Sequence, residues 1–253
     1  MTADGPIKVF DSSSADYHRA FQVFLDHTDQ KAKAKEWLDH RVQALPARRV
    51  FIDVGAGNGK VTAWFLDRFQ QTIAIEPNPH LCEELRRHCP ASDVRPSRIL
   101  DATCGSLGDF VLCSHVLYYI PRAEWLAHLE QMASWVGPGG MLVVMVQNHQ
   151  TDCMRMLEHF VGQRFNLSEL AKEFRAASGR RYDVAIETVP AHVETVDLAS
   201  ACTVAEFMLN LLPISQPPAK KSVEDYVRRQ FADGAGRFRF SCHQDCLTIR
   251  PKI

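Results

Sequence analysis

Apolar positions along the chain fall into two alternating rhythms: stretches with a period near four, and short unbroken runs rich in β-branched residues. Tyr17, Phe21, Phe24 and Leu25 recur at helical spacing, and Gln30 to Leu45 continues the pattern with Trp37, Leu38 and Val42. Pro46 closes this helical preface, and the Lys31, Lys33, Lys35 alternation inside it reads as a solvated helix face. Val50, Phe51, Ile52, Asp53 and Val54 then read as a buried strand, Gly55, Gly57 and Gly59 as a tight turn, and Val61 to Phe69 as a helix. A second strand, Thr72 to Ile75, ends in Glu76 and Pro77, and a helix from His80 to Cys89 follows. The apolar pair Ile99 and Leu100, followed by Asp101, marks the end of a third strand. Asp109 to Ser114 (strand), Ala123 to Val136 (helix), Gly137 to Gly140 (turn) and Met141 to Val146 (strand) complete the series. Such alternation predicts an α/β fold with a mostly parallel, doubly wound, Rossmann-like sheet.

Beyond Gln147 the rhythm is less regular. Helices are expected at Cys153 to Val161, Ser168 to Ser178 and Val223 to Phe231, and strands at Tyr182 to Val189, His192 to Val196 and Arg237 to Ile249. Residues 203–212 form a strongly apolar helix that includes Phe207; core packing is its plainer use and a substrate lid the alternative. Residues 1–14 are polar, a leader that orders only where something tethers it. The expected organisation is a leader and helical cap over the active site at 1–46, then a main domain at 47–253 with a lid-like insertion at about 197–235.

Composition narrows the class of function. With 253 residues, 46% hydrophobic and 23% charged, the chain can bury one substantial core, which excludes collagen, coiled coil and a disordered tail. A formal net charge of −1 argues against a protein that grips nucleic acid, so a small molecule is the expected partner. Eight cysteines occur without a CxxC pair, and Met1 to Lys8 lacks the basic and apolar regions of a signal peptide. Reduced thiols in a soluble, cytoplasmic protein are expected, as a monomer or weak homodimer. No membrane span is expected, because Met141 to Val146 is far short of the roughly 20 apolar residues needed. On a strand, Cys242 and Cys246 face one side and His243 the other, so no metal site is expected.

The chemistry concentrates at the first strand's exit, Asp53-Val54-Gly55-Ala56-Gly57-Asn58-Gly59. Glycines let a ligand approach the backbone, but a dinucleotide wants GxGxxG, and Lys60 stands where that pattern continues; the spacing disfavours a pyrophosphate. Glu76 lies 23 positions after Asp53, where a carboxylate can accept hydrogen bonds from both hydroxyls of a ribose. Asp101, with the amides of Ala102 and Thr103, is placed to meet an adenine edge.

The segments VFIDVGAGNG, IAIEPN, DFVLCSHVLYYI and VGPGGMLVV, in this order, resemble the motif set of the class I methyltransferases that use S-adenosylmethionine. The resemblance implies a seven-stranded sheet whose last strand, at Arg237 to Ile249, is inserted antiparallel. It implies Gly55, Ala56 and Gly57 against the methionyl part of the cofactor, Glu76 with Pro77 at the ribose, Ala102 and Thr103 at the adenine, and Ser114 near the donor. A closer likeness, to the histamine N-methyltransferase family, is carried by YHRAFQVFLDHTDQ, VLYYI and GRFRFS. It implies an aromatic wall around a small amine, made by Tyr17, Phe21 and Tyr118 or Tyr119. The chain departs from that family at Gln30 (an acid there), at His115 (a glutamine) and near Cys242 (an asparagine), so histamine itself does not carry over.

The resulting expectation is methylation of a small, nitrogen-containing, aromatic or heteroaromatic metabolite. His115, just beyond the fourth strand, is the candidate base or substrate ligand, and His27 a second one. Asp29 and Glu158 are candidate cation partners, with a solvated helix face as their plainer use. Three alternatives stand beside this reading: hydroxyl methylation with His115 as general base, a sensor that binds S-adenosylmethionine without turnover, and a nicotinamide dehydrogenase.

Overall fold

In a computed structural model of the protein, residues 5–10, 14–211 and 214–252 are described. The chain forms two compact units. One comprises residues 35–146, 166–187 and 245–253, the other residues 1–34, 147–165 and 188–244.

The first unit carries a seven-stranded sheet in the order β3-β2-β1-β4-β5-β9-β6. Its strands are β1 (Val50–Val54), β2 (Gln71–Ile75), β3 (Asp93–Arg95), β4 (Gly108–Ser114), β5 (Val136–Gln147), β6 (Tyr182–Val189) and β9 (Gln244–Pro251). β1 pairs in parallel with β2 and β4, β2 with β3, and β4 with β5. The last strand, β9, sits between β5 and β6 and runs antiparallel, which gives the Rossmann-like sheet expected from the alternation. β1 pairs on both sides and is buried from Phe51 to Val54, which is why it reads as an apolar run interrupted only by Asp53. Phe51 and Phe110 stack across β1 and β4 with ring centroids 5.4 Å apart, and Phe65 meets both edge-on. At the opposite end from the glycine turn, the Asp109 carboxylate accepts the amides of Arg49 and Val50 and pairs with the Arg49 guanidinium at 2.9 Å. Helices α2 (Gln30–Gln43), α3 (Pro79–His88), α4 (Trp125–Ser134) and α6 (Leu167–Ser178) complete the helical content around these strands.

Four local expectations are corrected. Val61 to Phe69 is two 3-10 turns, Thr62–Trp64 and Leu66–Arg68, instead of one α-helix. The Thr62 hydroxyl is drawn onto Asp53 at 2.6 Å and Phe65 is fully buried, so packing tightens a segment whose propensity is only moderate. The third strand is Asp93–Arg95, and Ile99–Asp101 is another 3-10 turn that buries Ile99 and leaves Leu100 exposed. Gly137 to Gly140 is an irregularity within β5: Gly108 pairs with Val136 and Phe110 with Met141, leaving the intervening residues as a bulge. The expected strand Arg237 to Ile249 is broken after Ser241.

That break separates β8 (Phe238–Ser241) from β9. β8 pairs antiparallel with β7 (His192–Thr195) in a two-stranded sheet of the second unit. Cys242 donates its amide to Ala191, extending the ladder by one residue, while Asp152 accepts both the amide and the hydroxyl of Ser241, side-chain bonds that no strand pairing offers. The second unit also holds α1 (Ala15–Asp26), α5 (Asp152–Val161), α7 (Leu198–Leu209) and α8 (Lys220–Gln230). α7 begins five residues before the apolar stretch, capped by Asp197, and residue 212 lies outside the described residues. The leader is tethered where described: Pro6 bridges Ala219, Ile7 is buried, and the Asn210 amide bonds both Phe10 N–H and Lys8 C=O. No helix among the described residues is long and apolar enough to cross a membrane.

Candidate cofactor cleft and acceptor-binding residues

The parallel strands of the first unit end at a glycine turn whose backbone requires those glycines. Gly55, Gly57 and Gly59 all have positive φ, at 70°, 57° and 86°. A Cβ at Gly55 would lie 2.3 Å from Val116 Cγ2, and one at Gly59 would lie 2.7 Å from Leu85 Cδ1. A Cβ at Gly57 would meet nothing within 4 Å, so the turn is closed below and open at its middle residue. Gly55 and Ala56 both donate to Ile75 O, which ties the turn to the end of β2.

Glu76 follows directly and is 6% exposed. Its Oε2 accepts the Gly57 amide at 2.9 Å and its Oε1 accepts the Asn78 amide at 2.9 Å. Two fixed amides hold the carboxylate plane while lone pairs on each oxygen remain for further donors, the arrangement that two vicinal hydroxyls need. Pro77 is exposed, and Asn78 caps α3 by accepting the amides of His80 and Leu81. Beneath the turn, buried Asp53 accepts the Thr62 hydroxyl; burial first, then the nearby Glu76 charge, pushes its carboxyl up to about 7 against the opposing effect of that hydrogen bond. Sequence reasoning noted this acid ahead of the glycines without giving it a role, and the Thr62 partnership leaves no signature in spacing.

The adenine candidates divide. Asp101 is exposed at the end of its 3-10 turn, whereas the Ala102 amide is bonded to Ile99 O and the Thr103 carbonyl accepts from Arg95. Ser114 closes β4, and the next residue, His115, is the one non-glycine with positive φ among the described residues, at 61°. Its amide donates to Met145 O, and its Nδ1 lies 3.3 Å from the Tyr118 hydroxyl, the rings stacked at 5.8 Å. The paired tyrosines behave differently: Tyr118 is 5% exposed and Tyr119 66%.

In the second unit, Tyr17, Phe21 and Phe207 come together, with Phe207 centroids 5.5 Å from Tyr17 and 5.3 Å from Phe21. Phe24, which periodicity placed on the same face without singling it out, joins them at 5.5 Å from Phe207. Gln30 is buried and donates its side-chain amide to Cys242 O at 2.7 Å, joining two of the positions at which the chain departs from the family it resembles. His27 uses Nδ1 on Val23 O, Asp29 accepts the His192 amide, and Glu158 is exposed on α5. His115 and Tyr118 therefore belong to one compact unit and the Tyr17, Phe21, Phe207 group to the other.

A seven-stranded sheet with an inserted antiparallel last strand, a glycine turn open at its middle residue and an acid fixed at the end of β2 defines a class I methyltransferase scaffold. The chain belongs to the methyltransferase domain family, which its residues 25–182 match. The Gly57 opening beside a doubly anchored carboxylate fits the adenosyl amino acid that the sequence resemblance implies. An uncharacterized methyltransferase of Exiguobacterium sibiricum is 28% identical over 92 residues, covering 36% of this chain and 43% of that protein. The chain thus spans less than half the length of that curated relative. Among solved structures, a methyltransferase described as putative from Bacillus halodurans is 12% identical with a TM-score of 0.59, over 94% of this chain and 99% of that one. The N-methyltransferase NodS of Bradyrhizobium japonicum, in complex with S-adenosyl-L-homocysteine, is 12% identical with a TM-score of 0.56, over 95% and 100%. At these identities both likenesses concern the fold.

Proposed function

We propose that the protein methylates a nitrogen of a small aromatic or heteroaromatic metabolite. The observation that carries methyl transfer is the Glu76 clamp, fixed at both oxygens directly beside the open Gly57. Bound S-adenosylmethionine supplies a methyl group on a sulfonium that already carries its leaving group. The chain's part is then to bind, orient and exclude water, and holding a nucleophile in position is worth about 7 to 11 kcal/mol of barrier. Gly55, Ala56 and Gly57 take the amino-acid portion, Glu76 with Pro77 the ribose, Asp101 with Ala102 and Thr103 the adenine, and Ser114 the region near the donor.

Acceptor contacts are assigned in this reading to Tyr118 and Tyr119 in the first unit and, separately, to Tyr17, Phe21, Phe207, His27 and Gln30 in the second. Aromatic faces tolerate the positive charge that appears on a methylated nitrogen, at about 0.5 to 2 kcal/mol per face. The resemblance to the histamine N-methyltransferase family supports a small amine, and the NodS likeness is compatible with N-methylation. A neutral amine needs no proton removed before attack, so no base is required for the transfer itself.

Calorimetry with S-adenosylmethionine, S-adenosylhomocysteine and NAD, followed by methyl transfer to a panel of heteroaromatic amines and phenols, tests this. Binding of both sulfur ligands and turnover of amines is expected. Tight NAD binding with no response to the sulfonium would end the reading, and donor binding without transfer to any acceptor would replace it with the sensor.

A further inference from the structure

We propose that Tyr118 is a positioning residue that donates its phenolic hydrogen to His115 Nδ1, fixing the neutral imidazole as the Nε2–H tautomer. His115 is then a hydrogen-bond donor to the methyl acceptor and not the base that deprotonates it. The inference rests on the methyl-transfer reading above and decides between its two acceptor chemistries.

Three observations place the pair. β4 ends at Ser114, and the left-handed backbone of His115, anchored by its amide on Met145 O, turns the chain directly into the 3-10 turn Leu117–Tyr119. That turn returns residue 118 over residue 115, with ring planes 24° apart and Nδ1 3.3 Å from the hydroxyl. Tyr118 is nearly buried and stacks with the imidazole, while its neighbour Tyr119 faces solvent. A left-handed histidine is uncommon and costs on the order of 1 kcal/mol, which a surrounding structure sustains where a side chain has to be aimed.

The direction of the bond follows from acidity. A phenol O–H, with pKa near 10, is a far stronger donor than the N–H of neutral imidazole, and an imidazole lone pair is a stronger acceptor than a phenolic oxygen. With its Nδ1 lone pair engaged and its proton on Nε2, the ring has no free lone pair for an incoming proton. An acceptor that attacks through a neutral nitrogen loses nothing by this. A hydroxyl, which must be deprotonated as it attacks, does. The acceptor accordingly carries a second group, a ring nitrogen or a carbonyl oxygen, that accepts from Nε2–H beside the nitrogen that is methylated.

The test is the imidazole nitrogen spectrum of the full chain with S-adenosylhomocysteine, with His115 signals assigned by their loss in His115→Asn. Above the histidine titration, a pyridine-like Nδ1 and a pyrrole-like Nε2 are expected. In Tyr118→Phe the two tautomers should mix, while affinity for S-adenosylhomocysteine stays within about twofold. A pyrrole-like Nδ1 in the wild-type protein, or an unchanged pattern in Tyr118→Phe, overturns the proposal. Should Tyr118→Phe fail to fold, the wild-type spectrum alone decides. Calorimetry on the same sample separates the two levels, since failure to bind S-adenosylhomocysteine removes the methyl-transfer reading whatever the tautomer.

Discussion

Single residues carry the proposed cofactor cleft, and two of them make sharp predictions. Glu76→Gln keeps shape but turns an N–H₂ toward either the Gly57 or the Asn78 amide, so a bond is replaced by a donor-donor contact and the charge that ribose hydroxyls seek is lost. Affinity for S-adenosylhomocysteine should fall about 10- to 100-fold by calorimetry, at about 1.4 kcal/mol per tenfold, with helical circular dichroism unchanged. Gly55→Ala should be at least as harmful, because φ of 70° disfavours a side chain and the new methyl would meet Val116. Recovery of binding in Gly55→Ala combined with Val116→Ala would assign the steric part. The place of Glu76 at the end of β2 was legible because the apolar run before it stops at Ile75, whereas its two amide partners, Gly57 and Asn78, were not. Tyr118 was not separable from Tyr119, since only burial tells two adjacent tyrosines apart.

Elements were legible where one period dominated. β1, β2, β4, α3 and α5 lie within a residue or two of expectation because their apolar positions are set by burial on a sheet face or a helix stripe. Val61 to Phe69 failed because a 3-10 turn and an α-helix share nearly the same apolar spacing over one or two turns, and the Thr62 bond to Asp53 decided between them. The Arg237 to Ile249 run failed because both halves are strands, and what breaks it is Asp152, 89 positions away from Ser241. α7 offers a test at this scale. Phe207 is 2% exposed and touches Tyr17, Phe21 and Phe24, so Phe207→Ala should cost about 3–5 kcal/mol, read from urea unfolding. Phe21, only partly buried, should lose less stability as Phe21→Ala and instead raise KM for the amine acceptor found in the panel.

For the whole molecule, two buried aspartates give stability opposite dependences on pH. Asp53 titrates near 7 in the folded chain against about 3.9 unfolded, so its contribution is complete below about pH 4 and is lost as pH rises through 7. Stability should therefore decline from pH 5 to pH 8 by up to about 2.5 kcal/mol from this group, and Asp53→Asn should flatten that decline in urea midpoints. Asp109 behaves in the reverse sense. Burial raises its carboxyl, but the Arg49 guanidinium and the Arg49 and Val50 amides outweigh burial and hold it below the usual range. Its contribution is present above about pH 4 and disappears as pH falls through the lower folded value. Asp109→Asn should cost about 2–3 kcal/mol at neutral pH and reduce sensitivity to acid. The chain alone determined the alternating α/β order, the glycine turn and the acid one strand over, because periodicity, positive φ and charge are local properties written residue by residue. Tertiary structure alone decided that Thr62 serves Asp53, that Asp152 divides the final strand, that Gln30 closes on Cys242 and that Tyr118 meets His115. Each of those is a directional bond between distant or sterically selected partners, and no spacing encodes where a hydrogen bond will find its other half.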